Sequence, residues 1–464
     1  MKRIGNLWER ALTDENCIRA VIEGTQYKRK NRNVRQLLYD TDKVADHPEL
    51  WHMVDPEKAK AYMKPVVEEL RNGTWKHQEP RHRTAFCPNK TKNGGKWREL
   101  YIPSLKDHMV AHMMMQVSKE AFTKGMHPHC CGSVPDRGIG HIVKTVERWF
   151  KTDRKCRYFV KLDIRKFFDS IDRDVLVEKL GKKIKDRKVL DVFIQIIDSA
   201  PVPCPVGYYT SPWFANLYLE DLDHFVEEQL YKERRDKRIK YVRHYLRYMD
   251  DILLVGTCKK DLEKAIQEIR AFIGVMNLKI KDSWEIKQIG KHEIVDGEWK
   301  LKKGTYWCDI GGYKFSKDAT IMRDGVYLSA RRLAKKMNRE PYYTKHQCLS
   351  INARIGWSKH ANSHGFIENE IKPYVNIKET RRKISYVDQI RKRRERKAVR
   401  LRTGGGLRHS PEELPSGGSN GGKAGALRVG RVADDEGTVR CVQGDGRKDH
   451  GAERRACGTG RDNQ

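Results

Sequence analysis

Three aspartates stand out by the company they keep. Asp163 ends the mostly apolar run Tyr158–Leu162, while Asp250 and Asp251 lie between Tyr245-Leu246-Arg247-Tyr248-Met249 and Ile252-Leu253-Leu254-Val255. An Asp-Asp pair is most often a solvated turn, but a turn with a purely structural duty favours Gly or Asn. Here both flanks are apolar and aromatic, and another acid closes a β-rich run well upstream. Carboxylates so grouped suit two-metal phosphoryl transfer, in which two divalent cations about 3.5–4 Å apart serve the attacking and leaving oxygens. Mg²⁺ takes oxygen ligands and keeps several waters, so two or three carboxylates suffice. The chemistry expected of Asp163, Asp250 and Asp251 is therefore attack of a hydroxyl on an activated phosphate.

Acids used this way need a strand end and a neighbouring hairpin tip to present them. The run Arg157–Ile164 predicts a strand ending at Asp163, and Tyr241–Gly256 predicts a hairpin with Asp250 and Asp251 at its turn. Around these, residues 1–80 carry helical spacing. Thr84–Cys87 and Arg98–Pro103 flank the polar turn Asn93-Gly94-Gly95 and predict a further hairpin. Asp107–Val117 is helical, and a Gly-containing segment from Cys131 to Gly140 leads into a helix ending near Phe150. Helical periodicity returns over Arg173–Ile197 and Leu262–Val275, short strands over Thr305–Ile310 and Gly312–Phe315, and a basic helical region from Leu328 to about Val399.

Composition bears on partners. The 464 residues hold 94 Lys+Arg against 62 Asp+Glu, a net charge of +32, which draws polyanions by long-range attraction and counterion release. Nucleic acid is the expected partner; an anionic membrane is the alternative, and no basic amphipathic anchor is found. No run of about 18 apolar residues predicts a membrane span, and the N-terminus lacks a signal-peptide core. The 11 cysteines are irregularly spaced and are read as reduced thiols of a cytoplasmic protein. His127, His129, Cys130 and Cys131 form the one cluster that invites a zinc reading, which adjacent cysteines disfavour because they do not easily chelate one ion. Residues 401–464 hold 15 of the 36 glycines with almost no aromatic or periodic apolar positions, and are expected to be disordered. Residues 391–464 carry 18 basic and 10 acidic residues, so +24 of the net charge falls on residues 1–390.

The motifs resemble those of a known family, the prokaryotic reverse transcriptases of the group II intron, retron, diversity-generating and defence-associated type. Val160-Lys161-Leu162-Asp163-Ile164-Arg165-Lys166-Phe167-Phe168-Asp169-Ser170-Ile171 is similar to the family's first catalytic motif, and Arg247-Tyr248-Met249-Asp250-Asp251-Ile252-Leu253 to its second. The resemblance implies that Asp163, Asp250 and Asp251 form the metal-binding triad with the Ile164 carbonyl as a further ligand. It also implies that Phe168 packs under the sugar and clashes with a 2′-hydroxyl; Phe167 and Phe168 read without it are equally plain core.

Pro205-Val206-Gly207-Tyr208-Tyr209-Thr210-Ser211-Pro212-Trp213 resembles the family's nucleotide loop and helix. Gly207 would permit close backbone approach, and Ser211-Pro212 suits a helix start. Intron-type enzymes usually carry Gln where Val206 stands, and diversity-generating enzymes carry Gln where Pro212 stands, so the chain follows neither pattern fully. Lys92 and Arg98 resemble residues that grip the triphosphate, or else belong to a solvated basic loop. Asp309–Phe315 resembles the primer-grip hairpin. Arg331, Arg332, Lys335 and Lys336 either track a duplex backbone or form a solvated face.

The expected fold is α+β, a right-hand polymerase with fingers, a ferredoxin-like palm and a helical thumb, plus a disordered C-terminal tail. Residues 1–150 would be the N-terminal region and fingers, 151–320 the palm with primer grip, 321–390 the thumb, and 391–464 the tail. The expected function is RNA-directed DNA synthesis from a primer 3′-hydroxyl in a diversity-generating or antiphage defence system. Two Mg²⁺ ions, with Mn²⁺ as a substitute, would be the cofactors. Partners would be an RNA template, a DNA or RNA primer and deoxynucleoside triphosphates, with an accessory protein or cognate noncoding RNA and no membrane. The alternatives are an RNA-binding scaffold derived from such an enzyme, and a template-independent nucleotide polymerase.

Overall fold

Apolar residues on both faces of neighbouring strands organise the chain. In the computed structural model, which describes residues 3–25, 28, 31–38, 54–88, 95–295 and 298–386, the strands β3 (Cys130–Cys131), β4 (Tyr158–Asp163), β7 (His244–Tyr248), β8 (Asp251–Gly256) and β9 (Lys287–Gln288) form one sheet in the order β3-β7-β8-β4-β9. All its pairings are antiparallel except β3 with β7. Ile252 and Leu254 of β8, with Val160 and Leu162 of β4, enter the larger core with the helices Leu105–Thr123, Arg187–Asp198, Ser211–Tyr218 and Lys259–Val275. Leu253, Val255, Phe159 and Leu246 point the other way, into a second core with the helix Ile139–Thr152. Strands covered on both faces read as continuous apolar runs, which is why β8 was conspicuous in the sequence.

The fold is α+β, as expected. The first predicted hairpin is present as β1 (Arg81–Pro88) and β2 (Gly95–Ile102), paired Ala85 to Arg98 and Phe86 to Trp97. A three-stranded sheet, β12 (Cys308–Ile310), β13 (Tyr313–Phe315) and β14 (Thr320–Met322), precedes the helices Asp324–Met337 and Lys345–Ser358. Ala330, Ala334 and Met337 on one helix pack with Ile351 and Ile355 on the other.

Some expectations are corrected in detail. The single helix predicted over Arg173–Ile197 is two, Arg173–Lys183 and Arg187–Asp198. Ile4, in an isolated bridge to Ile184, takes the backbone groups at the break: its N–H donates to the Lys183 carbonyl (2.9 Å) and its carbonyl accepts from Lys185 N–H (2.8 Å). Asp186 accepts from the Leu7 N–H across the same junction. The predicted Gly-rich connector begins with β3, whose cysteines point to opposite faces as strand alternation requires, so Cys130 and Cys131 do not converge on one ion. Cys130 instead meets the Asn216 side chain. A hairpin between β5 (Tyr231–Arg234) and β6 (Lys237–Lys240) was not foreseen.

Contacts divide the chain into Met1–Thr403 and Gly404–Gln464. The second unit, and with it the expected Gly-rich tail, lies outside the described residues, as does Lys92. Among the described residues no helix is long and apolar enough to cross a membrane, and every cysteine is a free thiol.

Candidate active site

The end of β4 and the start of β8 meet at the acids. Asp163 stands directly opposite Asp251 in the antiparallel register, so their side chains leave the same face of the sheet. Tyr248 pairs with Asp251 to close the β7–β8 hairpin. Met249 and Asp250 form its two-residue loop, with Met249 in the left-handed region at φ 56°. That geometry suits a tight hairpin, yet a side chain there is strained by about 1–3 kcal/mol and persists only where surroundings enforce it. Sequence spacing had put both acids at the turn; the structure puts Asp250 in it and Asp251 on the first rung of β8.

Burial pushes the Asp250 carboxyl above its ordinary pKa, and the nearby charges of Asp251 and Asp163 act in the same direction. One cation faces this group: Lys281 Nζ lies 2.6 Å from Asp163 Oδ1. Lys281 arrives by a bridge in which Arg165 N–H donates to Lys279 and Lys281 N–H to the Asp163 carbonyl. In an antiparallel pairing of that kind the backbone of Ile164 points away from the bridging segment, toward the β8 side, as a carbonyl ligand there requires. Apart from the Lys281 contact, Asp163 Oδ1 is buried without a hydrogen bond. A shielded carboxylate oxygen whose close partner is an ammonium, among acids that repel one another, is an environment suited to a hard divalent cation. The residues present therefore fit Mg²⁺.

Beside Asp251 and Tyr248 a cleft of ≈ 560 Å³ extends past Gly311 and Gly312 to Arg323, Arg354 and Trp357. Asp309 on β12 receives the Arg323 guanidinium at 2.8 Å, and Tyr313 stacks on Trp357 with centroids 5.4 Å apart. The segment expected to be a primer grip thus forms one wall of the cleft that holds Asp251.

The remaining sequence candidates fall in separate places. Phe167 and Phe168 occupy the 3₁₀ turn Phe167–Ser170 just after β4. Phe167 is buried in the core, while Phe168 is partly exposed and packs against its edge. Gly207, at φ 119°, lies against β2, since a Cβ there would come 2.3 Å from the Tyr101 carbonyl oxygen. Tyr101 N–H in turn donates to the Val206 carbonyl at 2.9 Å. Ser211 Oγ donates to the Pro205 carbonyl at 2.8 Å and begins the helix Ser211–Tyr218 with Pro212 in its first turn. Arg98 is exposed on β2. On the helix Asp324–Met337, Arg331 pairs with Glu370 at 2.6 Å and Lys335 lies over the Tyr374 ring, so part of that basic face is engaged within the chain.

Two features escaped the sequence reading. Lys281 has no motif to mark it, being joined to Asp163 only by the bridge at Ile164. The other is a group of side chains behind the hairpin turn, centred on Arg247. A charge inside an apolar strand signals a buried partner, but nothing local names Asp223 as that partner. Among the described residues, Asp153, Cys156 and His244 bring potential ligand atoms within 4.8 Å of one another. There, His244 Nε2 and Arg243 Nε already contact Asp153 Oδ2 at 2.9 and 2.6 Å.

Comparison with known proteins agrees with this geometry. Residues 90–283, which span all three aspartates, match the family model described as reverse transcriptase (RNA-dependent DNA polymerase). Protein YkfC of Escherichia coli K12 is 24% identical over 280 residues, covering 52% of this chain and 72% of YkfC. The group II intron-encoded protein LtrA of Lactococcus lactis is 26% identical over 211 residues, covering 43% of this chain and 34% of LtrA. The retron Ec73 reverse transcriptase of E. coli is 28% identical over 184 residues, covering 38% of this chain and 54% of that enzyme. The chain therefore matches only part of each relative. The carboxylate hairpin lies inside the matched region, so the chain carries a reverse-transcriptase-like region over residues 90–283, and bacterial intron-encoded and retron proteins are among the proteins it is similar to.

Proposed function

We propose that this chain is an RNA-directed DNA polymerase that extends a primer 3′-hydroxyl with deoxynucleoside triphosphates. The observation that carries the reading is the cross-strand pair Asp163–Asp251 with Asp250 in the adjoining turn. The three carboxylates and the Ile164 carbonyl would hold Mg²⁺, with Mn²⁺ as a substitute. The chemistry supplied by Mg²⁺ bound there is activation of the attacking hydroxyl and screening of phosphate charge.

The protein's own groups do the rest by positioning. Lys281 offsets part of the carboxylate charge beside Asp163. Phe168 stands where a ring excludes a 2′-hydroxyl. The Gly207 loop and the Ser211 helix start let backbone approach the base pair, while Arg98 and Lys92 neutralise the triphosphate. Residues 1–150 serve as the N-terminal region and fingers, 151–320 as the palm and 321–390 as the thumb, and the net charge of +32 suits an RNA template and its primer. The protein acts in the cytoplasm. Val206 departs from the intron pattern and resembles diversity-generating enzymes, whereas Pro212 departs from the diversity-generating pattern, a mixture that also suits an antiphage setting, with a cognate RNA or accessory protein as partner.

The deciding experiment is extension of a DNA primer on an RNA template with Mg²⁺ and deoxynucleotides, beside Asp250→Ala and Asp251→Ala. Product from the wild type alone is expected. Tight RNA binding without product from wild-type protein would leave the scaffold reading instead, and product without template would favour template-independent synthesis. A variable target gene beside a near-repeat in the genomic neighbourhood would mark diversity generation.

A further inference from the structure

Behind the catalytic hairpin lies a fully buried ion pair. Strand alternation sends Tyr248 and Asp251 toward the cleft and Arg247 to the opposite face of the sheet. The Arg247 and Asp223 side chains are both 0% exposed. The guanidinium binds the carboxylate through two nitrogens, Nε to Oδ1 at 2.7 Å and Nη2 to Oδ2 at 2.6 Å. Tyr245 Oη donates to the same carboxylate at 2.6 Å.

The rest of the guanidinium reaches the turn. Arg247 Nη1 donates to the Met249 carbonyl at 3.2 Å and to Asn216 Oδ1 at 3.0 Å, and Nη2 contacts Cys130 Sγ at 3.1 Å. Asn216 Nδ2 donates to the Gly132 carbonyl at 2.9 Å. The backbone closes the arrangement, with Met249 N–H donating to the Cys131 carbonyl at 3.3 Å. Met249 is the residue held at φ 56°, immediately before Asp250. Asn216 belongs to the helix Ser211–Tyr218 that begins at the nucleotide loop.

A buried ion pair contributes little net stability against an apolar replacement, and its best-attested use is fixing one arrangement over others. Bidentate Arg–carboxylate geometry is well suited to this because it sets orientation as well as distance. We infer that Arg247, held by Asp223, is a positioning residue that fixes the strained Met249 turn and so sets the spacing of Asp250 and Asp251 from Asp163 for metal capture, while Asn216 ties that turn to the nucleotide-loop helix. Arg247 touches none of the reacting groups and acts through the turn alone. The inference rests on the polymerase reading for its meaning, but its physical content is the geometry of the divalent-cation site.

The test compares full-length wild type with Arg247→Lys, Asp223→Asn and Asn216→Ala. Lys keeps the charge and loses the fork; Asn216→Ala keeps the ion pair and removes one tether, so it guards against variants that fail to fold. Two readouts are taken: Mn²⁺ binding by electron paramagnetic resonance, and the Mg²⁺ dependence of primer extension, each on protein whose melting transition remains cooperative. The expected result is Mn²⁺ affinity reduced at least tenfold in Arg247→Lys and about threefold in Asn216→Ala. The Mg²⁺ concentration for half-maximal extension should rise in parallel, with primer–template affinity unchanged. Folded variants with wild-type Mn²⁺ affinity would overturn the inference. Wild type that binds Mn²⁺ but extends no primer would count against the polymerase reading and leave the Mn²⁺ comparison decisive for Arg247.

Discussion

Gly207 and Tyr101 meet backbone to backbone: a Cβ on Gly207 would lie 2.3 Å from the Tyr101 carbonyl oxygen. With φ at 119°, the position excludes side chains on conformational grounds as well. Through this contact the loop before the helix Ser211–Tyr218 is seated on the β1–β2 hairpin. Gly207→Ala should therefore destabilise the fold by about 3 kcal/mol, seen as a lowered melting temperature, and should raise KM for deoxynucleotides more than it lowers kcat.

Asp250 is a carboxylate kept at a cost. Burial and the charges of Asp251 and Asp163 push its pKa up, so the charged form is disfavoured without a cation. Asp250→Asn should raise stability in EDTA while abolishing extension. Addition of Mg²⁺ should stabilise the wild type and leave the variant unchanged. Thermal denaturation with and without Mg²⁺ checks both halves; a variant less stable than wild type in EDTA would contradict the account.

Phe167 and Phe168 are neighbours in different surroundings. Phe167 is 3% exposed in the core, so Phe167→Ala should cost about 3–5 kcal/mol of stability. Phe168 is only partly buried, and Phe168→Ala should leave the fold largely intact. Its effect should appear in the ratio of kcat/KM for deoxynucleotides over ribonucleotides, falling by about tenfold or more, which corresponds to about 1.4 kcal/mol of discrimination. An unchanged ratio would remove Phe168 from the sugar site.

His112, buried, and its partly buried neighbour His108 should make stability depend on pH. Burial lowers His108 to about 3, with Lys28 adding to the effect, and lowers His112 to about 4 by the same causes. His112 also stacks on Tyr209 with centroids 3.6 Å apart. In the unfolded chain both protonate near pH 6.5. Below that value the unfolded state binds protons that the folded state refuses, so stability falls as pH drops from about 6.5 toward 4. The expected slope is about 1 kcal/mol per pH unit for each histidine. Urea titrations at pH 7, 6 and 5 measure it, and His108→Gln should remove part of the dependence.

The chemistry was legible early because it sits in local patterns. A β-rich run ending at Asp163 and an apolar hairpin around Asp250 and Asp251 state strand, turn and acid in consecutive residues, and an unbroken apolar run is visible without knowing its partners. The same holds for the Gly207 loop and the Ser211-Pro212 helix start. Other features depend on long-range pairing. The break at Ile184 exists because Ile4 claims backbone groups there, and β3 is a strand only because Arg247 and Tyr248 lie alongside it.

By itself, then, the sequence pointed to the three candidate acids, the α+β class and an expected polyanionic partner, since these follow from residue type, short spacing and charge. Only the tertiary structure decided which groups surround the acids. Lys281 reaches Asp163 across the bridge at Ile164, and Arg247 finds Asp223 from another element. It also separated Phe168 from Phe167, one at the surface of the core and one within it. Spacing along a chain encodes which residues share a face, whereas the partner across a buried face is chosen by packing that the whole fold must complete.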